Sequence, residues 1–368
     1  MAGFVFTAVI LSAGLSSRLG RFKPLLPLND RSILEHLILR YQSCGISDIR
    51  VVAGYRADEV VALALRLGAT PVLNPDYTNG MWSSVVAGVS GLPTCTSGFF
   101  IHPVDIPLVR RQTFLDLMAA YQPASIVYPT FRHERGHPPL IARDFIPDLI
   151  TYDGQGGLRK FLSRHETRSI EIAAADRFIL KDIDELADYH WAVQCIDRYD
   201  IPSIDECREL MTRCLHVPDR VLVHCEAVAK LAESIGKALT DTGCPLDIDC
   251  IVSAALIHDL TRSSPEHART GAALLRDMDF PRLADIVEVH MDFSTIRDAP
   301  ITEAEVVFLA DKLIEVDHVV DLETRYRDKL NRYGRDAEAQ KRITMRMKQA
   351  MTSRIRIEKR IGRCILKA

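Results

Sequence analysis

Residues suited to phosphate chemistry follow an apolar run near the N-terminus. The run at 8–11 is Ala-Val-Ile-Leu, and the residues after it are small, hydroxylated or basic: Ser12, Ala13, Gly14, Ser16, Ser17, Arg18, Gly20 and Lys23. Small residues let backbone N–H groups approach an anion closely, a following helix N-terminus adds partial positive charge, and the basic side chains supply full charges. The stretch therefore predicts a strand that ends in a triphosphate-binding loop. The competing interpretation is an ordinary glycine-rich turn with solvated basic residues.

A carboxylate follows a later apolar run. Asp105 comes shortly after Phe99-Phe100-Ile101. Ligands of parallel sheets bind beyond the C-terminal ends of the strands, so this carboxylate is expected near the loop after the first strand. It could hold Mg²⁺ against a triphosphate, where the hard cation offsets charge on the α-phosphate and the pyrophosphate leaving group. The alternative role for Asp105 is the N-cap of a helix over 108–118.

A second group of chemically competent residues lies on amphipathic helices in the C-terminal half. Helical 3/4 spacing places four positions on apolar faces: His224, His258-Asp259, His290 and Asp311. A single buried histidine is more often a hydrogen-bonded core residue than a ligand. A buried carboxylate is costly without a cation or strong donors, and two such carboxylates beside histidines therefore predict a metal centre.

Two fold classes are predicted along the chain. Helical and strand-like periodicities alternate in the first half, which indicates βαβ units and a Rossmann-like, mainly parallel α/β sheet. The predicted strands are 4–15, 49–53, 71–73 and 99–102, and the predicted helices are 32–44, 58–67, 83–90 and 108–118. From Pro218 onward the pattern is helical, without strand-like alternation, so the second domain is expected to be all-α.

The length of 368 residues suggests two domains. The predicted division is a domain over 1–198, a linker over 199–216, a second domain over 217–330 and a basic helical extension over 331–368. In that extension, apolar residues such as Ile343 and Ile357 interleave with Lys and Arg. It is either a basic helix near an anionic ligand or surface, or an amphipathic helix packed on its own domain.

Composition limits the class of protein. A net charge of -3 argues against a general nucleic-acid binder, and no segment reaches membrane-spanning length. The apolar run at 4–15 has no basic segment before it and is interpreted as a buried strand rather than a signal peptide. Nine cysteines without paired spacing favour reduced thiols, so a cytoplasmic location without nucleic-acid or membrane partners is expected.

The loop after the first strand resembles a family signature. Its spacing, L-x-x-G-x-S-x-R-x-G-x-x-K from Leu11 to Lys23, is similar to that of the MobA-like nucleotidyltransferases, which attach a nucleotide to molybdopterin. The usual P-loop and G-x-G-x-x-G motifs are absent. The resemblance extends over residues 1–195 and implies a sheet of the nucleotide-diphospho-sugar transferase type. It also implies in-line transfer with release of pyrophosphate, with Arg18, Lys23 and a Mg²⁺-binding Asp105 as the catalytic residues.

Further segments in family order extend this resemblance. It implies nucleotide binding by Leu11, Ser12, Ala13, Gly14, Ser16, Arg18, Lys23, Asn74 and Ser83, with backbone amides of 13–17 on the triphosphate. It implies acceptor binding by Gly136, His137, Pro138 and Arg159, and a second metal ligand at Asp184 in Asp182-Ile183-Asp184. Val104 departs from the glycine that is common before the metal-binding aspartate, which leaves the local backbone path open.

The residue before the loop glycine separates branches of this family. L-A-G-G accompanies guanine nucleotides and L-A-A-G accompanies cytosine nucleotides, and Leu11-Ser12-Ala13-Gly14 is closer to the second. The resemblance therefore favours CTP and molybdopterin as substrates, and a molybdoenzyme or its maturation chaperone as a partner. An acceptor that is a sugar phosphate or polyol phosphate is the alternative.

The second domain resembles the HD-domain metal-dependent phosphohydrolases over residues 215–325. Ordered His224, His258-Asp259 and Asp311 carry the resemblance, and His267 and His290 lie where members with two metals have extra histidines. It implies one or two divalent transition metals, such as Fe, Mn or Zn, and an open coordination position for a Lewis-acid role. The alternative is a nucleotide-sensing regulatory module.

Overall fold

The chain forms two compact units that divide after Tyr199. The structure is a computed structural model that describes residues 3–16, 18–294, 299–333 and 336–365. The first unit, up to Tyr199, is an α/β unit, and the second unit, from Asp200 onward, is helical. Both predicted fold classes are confirmed.

The first unit is built on an eight-stranded sheet. Its strands and those of a small separate hairpin are β1 (Phe6–Ser12), β2 (Pro27–Leu28), β3 (Arg31–Ser32), β4 (Asp48–Ala53), β5 (Thr70–Leu73), β6 (Gly98–Pro103), β7 (Ile126–Phe131), β8 (Glu134–Arg135), β9 (Leu140–Ala142) and β10 (Ser169–Ala173). The order is β10-β7-β9-β6-β1-β4-β5, with β8 paired to β7, while β2 and β3 form the hairpin. Only β8 and β9 run antiparallel to their neighbours in this sheet.

Seven α-helices accompany these strands in the described part of the first unit. They are α1 (Ile33–Ser43), α2 (Ala57–Arg66), α3 (Met81–Val89), α4 (Arg111–Ala119), α5 (Ile146–Thr151), α6 (Gly157–Ser163) and α7 (Leu186–Ile196). Helix α1 begins where the sequence indicates, because Ser32 and Glu35 form a reciprocal capping box that satisfies two terminal N–H groups. Helix α4 begins three residues later than predicted, and its N-cap is Arg110 rather than Asp105. Asp105 is thus free of the capping role.

The central strands set the position of the loops. β1 lies between β4 and β6, and all of its residues after Phe6 are buried, as expected for a parallel strand covered on both faces. In the register, Leu11 lies beside Val52 and Pro103. The segments that follow β1, β4 and β6 therefore leave the sheet at one edge, where a ligand of an α/β sheet binds.

The second unit consists of eight helices and one short hairpin among the described residues. They are α8 (Ile204–Glu209), α9 (Asp219–Thr240), α10 (Ile248–Ile257), α11 (His267–Asp277), α12 (Pro281–Val289), α13 (Glu303–Leu313), β11 (Ile314–Glu315), β12 (His318–Val319), α14 (Leu322–Arg332) and α15 (Ala337–Ile361). The hairpin was not expected from the sequence, since strands of two residues leave no periodic pattern.

The segment 199–216, expected to be a linker, is largely helical. Ser203 and Glu206 form a capping box on α8, and a π-helical turn follows at Leu210–Cys214. Leu210 and Met211 are buried. The segment therefore packs as part of the second unit. In the predicted extension, residues 334–335 and 366–368 lie outside the described residues. Helix α15 buries Ala350, Ser353 and Ile357. Some of its charged residues, such as Lys348 and Lys359, are exposed, whereas Arg356 is largely buried.

Two further sequence predictions concern membranes and thiols. None of the helices in the described ranges is long and apolar enough to cross a bilayer. All nine cysteines are free thiols, in agreement with their unpaired spacing.

His102 ties the end of β6 to the segment that carries Asp105. Its imidazole is fully buried; Tyr41 Oη donates to Nδ1 at 2.8 Å, and Nε2 donates to the carbonyl oxygen of Ile106 at 2.9 Å. We assign these roles because a carbonyl can only accept. Burial lowers the pKa of His102 to about 3. The neutral ring thus has both of its nitrogens satisfied.

This arrangement predicts acid sensitivity of the first unit. The folded pKa of His102 lies below its unfolded value, so the unfolded chain takes up the proton first and stability falls as pH drops from 6.5 towards 3. Between pH 6.5 and 5 the loss due to His102 should be about 1–2 kcal/mol. Urea unfolding followed by tryptophan fluorescence measures it selectively, because Trp82 and Trp191 both lie in the first unit.

The matched variants are His102→Gln, which keeps a polar side chain without a titration in this range, and the exposed His133→Gln. The pH dependence of the free energy of unfolding should flatten in His102→Gln and stay unchanged in His133→Gln. Equal pH slopes for wild type and His102→Gln would contradict the assignment.

Candidate active sites of the two units

The loop after β1 combines a buried start with an exposed turn. Leu11, Ser12 and Ala13 are buried, so their side chains pack within the unit and only their backbones can face a ligand. Gly14 is exposed, and a Cβ built on it would meet nothing within 4 Å. Ser16 has φ +54° and its Oγ accepts a hydrogen bond from the backbone N–H of Lys23 at 3.1 Å. This bond closes the loop. Ser17 lies outside the described residues.

Four predicted residues of the first unit meet in one ion network. Lys23 Nζ lies 3.3 Å from Asp105 Oδ2 and donates to Asp184 Oδ1 at 2.7 Å. Arg18 donates to the other oxygen of Asp184 at 2.9 Å. The Lys23 side chain is 9% exposed and that of Arg18 is 75% exposed. The buried ammonium therefore holds two carboxylates together, and the exposed guanidinium covers them from the solvent side.

The electrostatics of the two carboxylates differ. Burial raises the pKa of Asp105, and Lys23 only partly opposes this effect. The hydrogen bond from Lys23 lowers the pKa of Asp184, with burial acting in the opposite sense. Asp105 thus lies in a place that favours a nearby cation, and its oxygen donors, with those of Asp184, suit a hard cation such as Mg²⁺.

Asn74 and Ser83 serve the local structure of the next strand end. Asn74 is buried after β5 and donates to Ser83 Oγ at 2.9 Å and to Ser84 Oγ at 3.0 Å on α3. Its Oδ1 accepts from the N–H of Asp76. These bonds fix the start of α3. Within the described ranges, no hydrogen bond or ion pair links Asn74, Ser83 or Arg159 to the Asp105–Asp184 pair.

The predicted acceptor residues lie in two separate places. A Cβ on Gly136 would lie 2.5 Å from the carbonyl oxygen of Ile179, so the close backbone contact requires glycine. His137 follows in a cis peptide bond to Pro138, and its buried Nδ1 has no hydrogen-bond partner among the described residues. Burial lowers the pKa of His137, while the nearby carboxylates of Asp105 and Asp182 act to raise it. His137 is therefore electrostatically coupled to the Asp105 network.

Arg159, the remaining predicted acceptor residue, lies in the second place. It is exposed on α6, away from the ion network of Asp105 and Asp184. The glycine loop before α6 packs on an aromatic residue that the sequence analysis did not select: a Cβ on Gly154 would lie 2.5 Å from Trp82 Cδ1. Trp82 also packs on Tyr152 and Phe161. Trp82 directly precedes Ser83, which belongs to a segment that resembles the family, and this position could have identified Trp82 from the sequence.

Six predicted residues converge in the second unit. His224 lies on α9, His258 ends α10 and is followed by Asp259, His267 begins α11, His290 ends α12 and Asp311 lies on α13. The sequence analysis expected His258 and His290 within helical faces. They lie instead at the helix C-caps. The helical periodicity nevertheless predicts correctly that both side chains are buried.

Asp259 is the centre of this cluster. Its Oδ1 lies 3.3 Å from His267 Nε2 and 3.5 Å from His290 Nε2, and its Oδ2 lies 3.7 Å from His258 Nε2. Two sets of potential ligand atoms are each mutually within 4.8 Å, and both contain Asp259: one with His224 and His258, the other with His267 and His290. Asp311 lies beside the first set, 3.1 Å from His224 Nε2.

Two histidines present free nitrogens to the cluster. The Nδ1 atoms of His258 and His290 are paired with the carbonyl oxygens of Ala255 and Val287, at 2.7 and 2.6 Å. Their buried Nε2 atoms form no hydrogen bond with any described residue. A backbone carbonyl on one ring nitrogen is the usual way to orient the other nitrogen towards a metal. The residues therefore fit one or two divalent transition metals.

The charge states in this cluster are those of metal ligands. Burial lowers the pKa of His258 to about 4, so the ring is neutral at pH 7. Burial alone would raise the pKa of Asp311, but Lys312, His224 and His258 outweigh it and hold that pKa well below its ordinary value. A neutral imidazole and an ionised carboxylate are the forms that bind metal.

A pocket of about 480 Å³ opens over the cluster. Beside His224, Asp259 and Asp311 it is lined by six basic residues: Arg220, Arg262, Lys312, Arg325, Lys329 and Arg346. The last three come from α14 and α15. The sequence analysis did not connect these helices with the metal centre.

Comparisons with known proteins find two families in this chain. A family model described as MobA-like NTP transferase domain matches residues 8–169, and one described as HD domain matches residues 221–315. Curated relatives match the N-terminal half. The molybdenum cofactor cytidylyltransferase of Escherichia coli is 31% identical over 183 residues, which are 49% of this chain and 92% of that protein.

Two further relatives are enzymes of different activity. The nicotine blue oxidoreductase of Paenarthrobacter nicotinovorans is 29% identical over 48% of this chain and 91% of that protein. The molybdenum cofactor guanylyltransferase of Rhizobium meliloti is 30% identical over 45% of this chain and 77% of that protein. Among solved structures, a nucleotidyl transferase from Methanothermobacter has a TM-score of 0.48 at 23% identity, covering 54% of this chain and 100% of that chain.

The shared position of Asp259 predicts a distinctive pattern of metal loss. Protein purified anaerobically should hold about two divalent transition metals per chain, because each ligand set can hold one. Asp259→Asn should lose both, whereas His224→Ala and His290→Ala should each lose about one. Elemental analysis by mass spectrometry measures the content, and circular dichroism verifies the fold.

The exposed His318→Ala is the control and should keep the wild-type content. Less than one metal per chain in the wild type would contradict the two-metal arrangement. Unchanged content in His290→Ala would reduce it to a single-metal site.

Proposed function

Because the chain belongs to the MobA-like NTP transferase family and carries an HD domain in its second half, we propose that it is a bifunctional enzyme. Its first unit is a Mg²⁺-dependent CTP:molybdopterin cytidylyltransferase, and its second unit is a metal-dependent phosphohydrolase. The observation that carries the first proposal is the convergence of Lys23, Asp105 and Asp184 beside the loop after β1. The Escherichia coli relative, a molybdenum cofactor cytidylyltransferase, supports the choice of substrates.

The transfer step requires positioning and charge neutralisation more than covalent chemistry. An oxygen of the molybdopterin phosphate attacks the α-phosphorus of CTP; the bond from this phosphorus to the bridging oxygen breaks, and pyrophosphate leaves. Backbone N–H groups of the loop, Arg18 and Lys23 bind the triphosphate. Asp105 and Asp184 would hold Mg²⁺, which supplies neutralisation of charge on the α-phosphate and on the leaving pyrophosphate.

The loop also supports the choice of cytosine over guanine. The Cβ of Ala13 occupies space in a crowded place, since a Cβ built on neighbouring Gly54 would lie 2.9 Å from it and 2.6 Å from Tyr77 Cβ. The methyl group of Ala13 therefore packs closely against Gly54 just after β4, and the carbonyl oxygen of Ala13 accepts a hydrogen bond from the N–H of Tyr55 at 3.2 Å. We infer that this backbone position leaves less room for a purine than glycine would.

The phosphohydrolase proposal rests on the six-residue cluster under a basic pocket. In hydrolysis a water oxygen forms a bond to phosphorus, the bond from phosphorus to the organic oxygen breaks, and the leaving oxygen takes up a proton. A bound divalent metal would supply Lewis-acid polarisation of a phosphate oxygen and a lowered pKa of water. Lys312 holds Asp311 ionised, and Arg262 lies 3.3 Å from Asp259. Both keep the ligand carboxylates oriented.

The transferase proposal predicts a dependence of pyrophosphate release on molybdopterin and Asp105. With labelled CTP, Mg²⁺ and molybdopterin, Asp105→Ala should lower kcat by about 100-fold or more, since the metal would lose a ligand. The exposed Asp30→Ala is the control, and the metal-site variant His258→Ala should leave this activity intact. Release that needs neither pterin nor Asp105 would overturn the assignment. Faster turnover with a sugar or polyol phosphate would reassign the acceptor.

The nucleotide preference is tested separately at position 13. Ala13→Gly should reduce the preference for CTP over GTP by about tenfold, because removal of one methyl group relaxes the loop. Calorimetric titration of each nucleotide with Mg²⁺ gives the two Kd values. Tighter binding of GTP than CTP by the wild type would contradict the cytosine assignment.

A further inference from the structure

The pocket over the metal cluster extends beyond the part of the chain that matches the HD family. The match ends at residue 315, whereas Tyr326 and Lys329 on α14 and Arg346 on α15 line the same pocket as His224 and Asp311. These two helices therefore supply one wall of the site. The chemistry of that wall determines what the metal centre can receive.

Two basic side chains of the pocket hold the metal-ligand carboxylates. Arg262 lies 3.3 Å from Asp259 Oδ1, and Lys312 Nζ lies 2.5 Å from Asp311 Oδ2. Lys312 also donates to the carbonyl oxygen of His290 at 3.0 Å. Their charges are committed to the protein itself.

Two more basic side chains fix the surrounding helices. Arg325 donates to three carbonyl oxygens at the end of α13, those of Asp311, Lys312 and Ile314. Arg346 pairs with both oxygens of Asp292, at 2.6 and 2.8 Å. Neither is available for a ligand without breaking these bonds.

Lys329 differs from these four residues and from the sixth basic residue of the pocket, Arg220, which is exposed. Lys329 is partly buried in the pocket wall, and its side chain makes no hydrogen bond or ion pair with any described residue. Its Nζ lies 5.6 Å from the ring centre of Tyr326. Burial, together with the nearby cations Arg325 and Lys312, lowers the pKa of Lys329 to about 8, while the carboxylates of Asp311 and Glu315 act in the opposite sense without outweighing it. A desolvated cation next to other cations is costly unless an anion joins it.

Tyr326 supplies a second unsatisfied group on the same wall. It is 2% exposed, and its buried Oη has no hydrogen-bond partner among the described residues. Burial raises the pKa of Tyr326 to about 12, so the phenol keeps its proton and can donate. A buried hydroxyl without a partner costs free energy that a ligand oxygen would recover. Lys329 and Tyr326, one helical turn apart, therefore present two donors to the pocket.

We propose that Lys329 and Tyr326 on α14 bind the phosphate of the molecule that the metal centre hydrolyses, and that this molecule is an organic phosphate about the size of a nucleotide. The inference rests on the proposed phosphohydrolase. Apolar side chains of Val221, Ile314 and Ile343 line the same pocket and receive the organic part. A volume of about 480 Å³ suits a small organic ligand rather than a polymer.

The test measures phosphate binding to the full-length chain loaded with Mn²⁺. Isothermal titration uses two probes, inorganic phosphate and cytidine 5′-monophosphate, and all proteins carry Lys23→Met so that the loop of the first unit contributes little. Lys329→Met should weaken binding of both probes by about tenfold or more, as expected for a charge-assisted hydrogen bond. Tyr326→Phe should weaken it several-fold, and Lys329→Arg should retain most of the affinity. Arg327→Met, on the exposed side of the same helix, is the matched control.

The outcomes separate this inference from the proposed function. Normal metal content with phosphate affinity in Lys329→Met equal to that of the control would overturn the inference and leave the phosphohydrolase intact. Loss of metal in Lys329→Met and Lys329→Gln, with Lys329→Arg equally affected, would show a structural role and also overturn it. A wild type that binds no metal would instead refute the phosphohydrolase. Weaker binding with unchanged metal content supports the inference.

Discussion

The structure of the first site depends on the ammonium group of Lys23 between two carboxylates. Asp105 follows β6 and Asp184 lies near the end of the unit, so without a cation these two segments would repel each other at the edge of the sheet. The lysine itself is fixed through its backbone by Ser16. One charge therefore links three distant parts of the chain, and His102 supports it by bonding to Ile106 and so holding the segment that carries Asp105 in place.

The second unit meets the same requirement with different residues. Asp259 and Asp311 are buried, and basic or imidazole groups surround both. Two of the imidazoles are oriented by backbone carbonyls at helix ends, because the last carbonyl groups of a helix have no partner within it. The helix termini therefore do two things at once. They satisfy their own polar groups and direct the free ring nitrogens to a common point.

Much of the fold and of both sites could be predicted from the sequence, where periodicity or spacing carries the information. Alternating periods placed β4, α1 and α2 close to their observed bounds, and the spacing of the histidines and aspartates identified the cluster. The features that could not be predicted depend on which segments of the chain pack together. Helical spacing shows that Lys329 and Tyr326 share a face, but not that α14 folds back over the metal ligands. Likewise, the capping-box spacing of Ser203 and Glu206 is a local signal for the start of α8, but the burial of Leu210 and Met211 depends on packing within the second unit.

The three hydrogen bonds from Arg325 have a consequence for the minimal folding unit of the second half. They satisfy carbonyl groups at the end of α13, the helix that carries Asp311. A chain shortened at the end of the HD family match would leave these carbonyls without their donor and expose the apolar surface of α13 that α15 covers. The compact second unit therefore includes α14 and α15. The two terminal helices are part of its core architecture rather than an appendage to it.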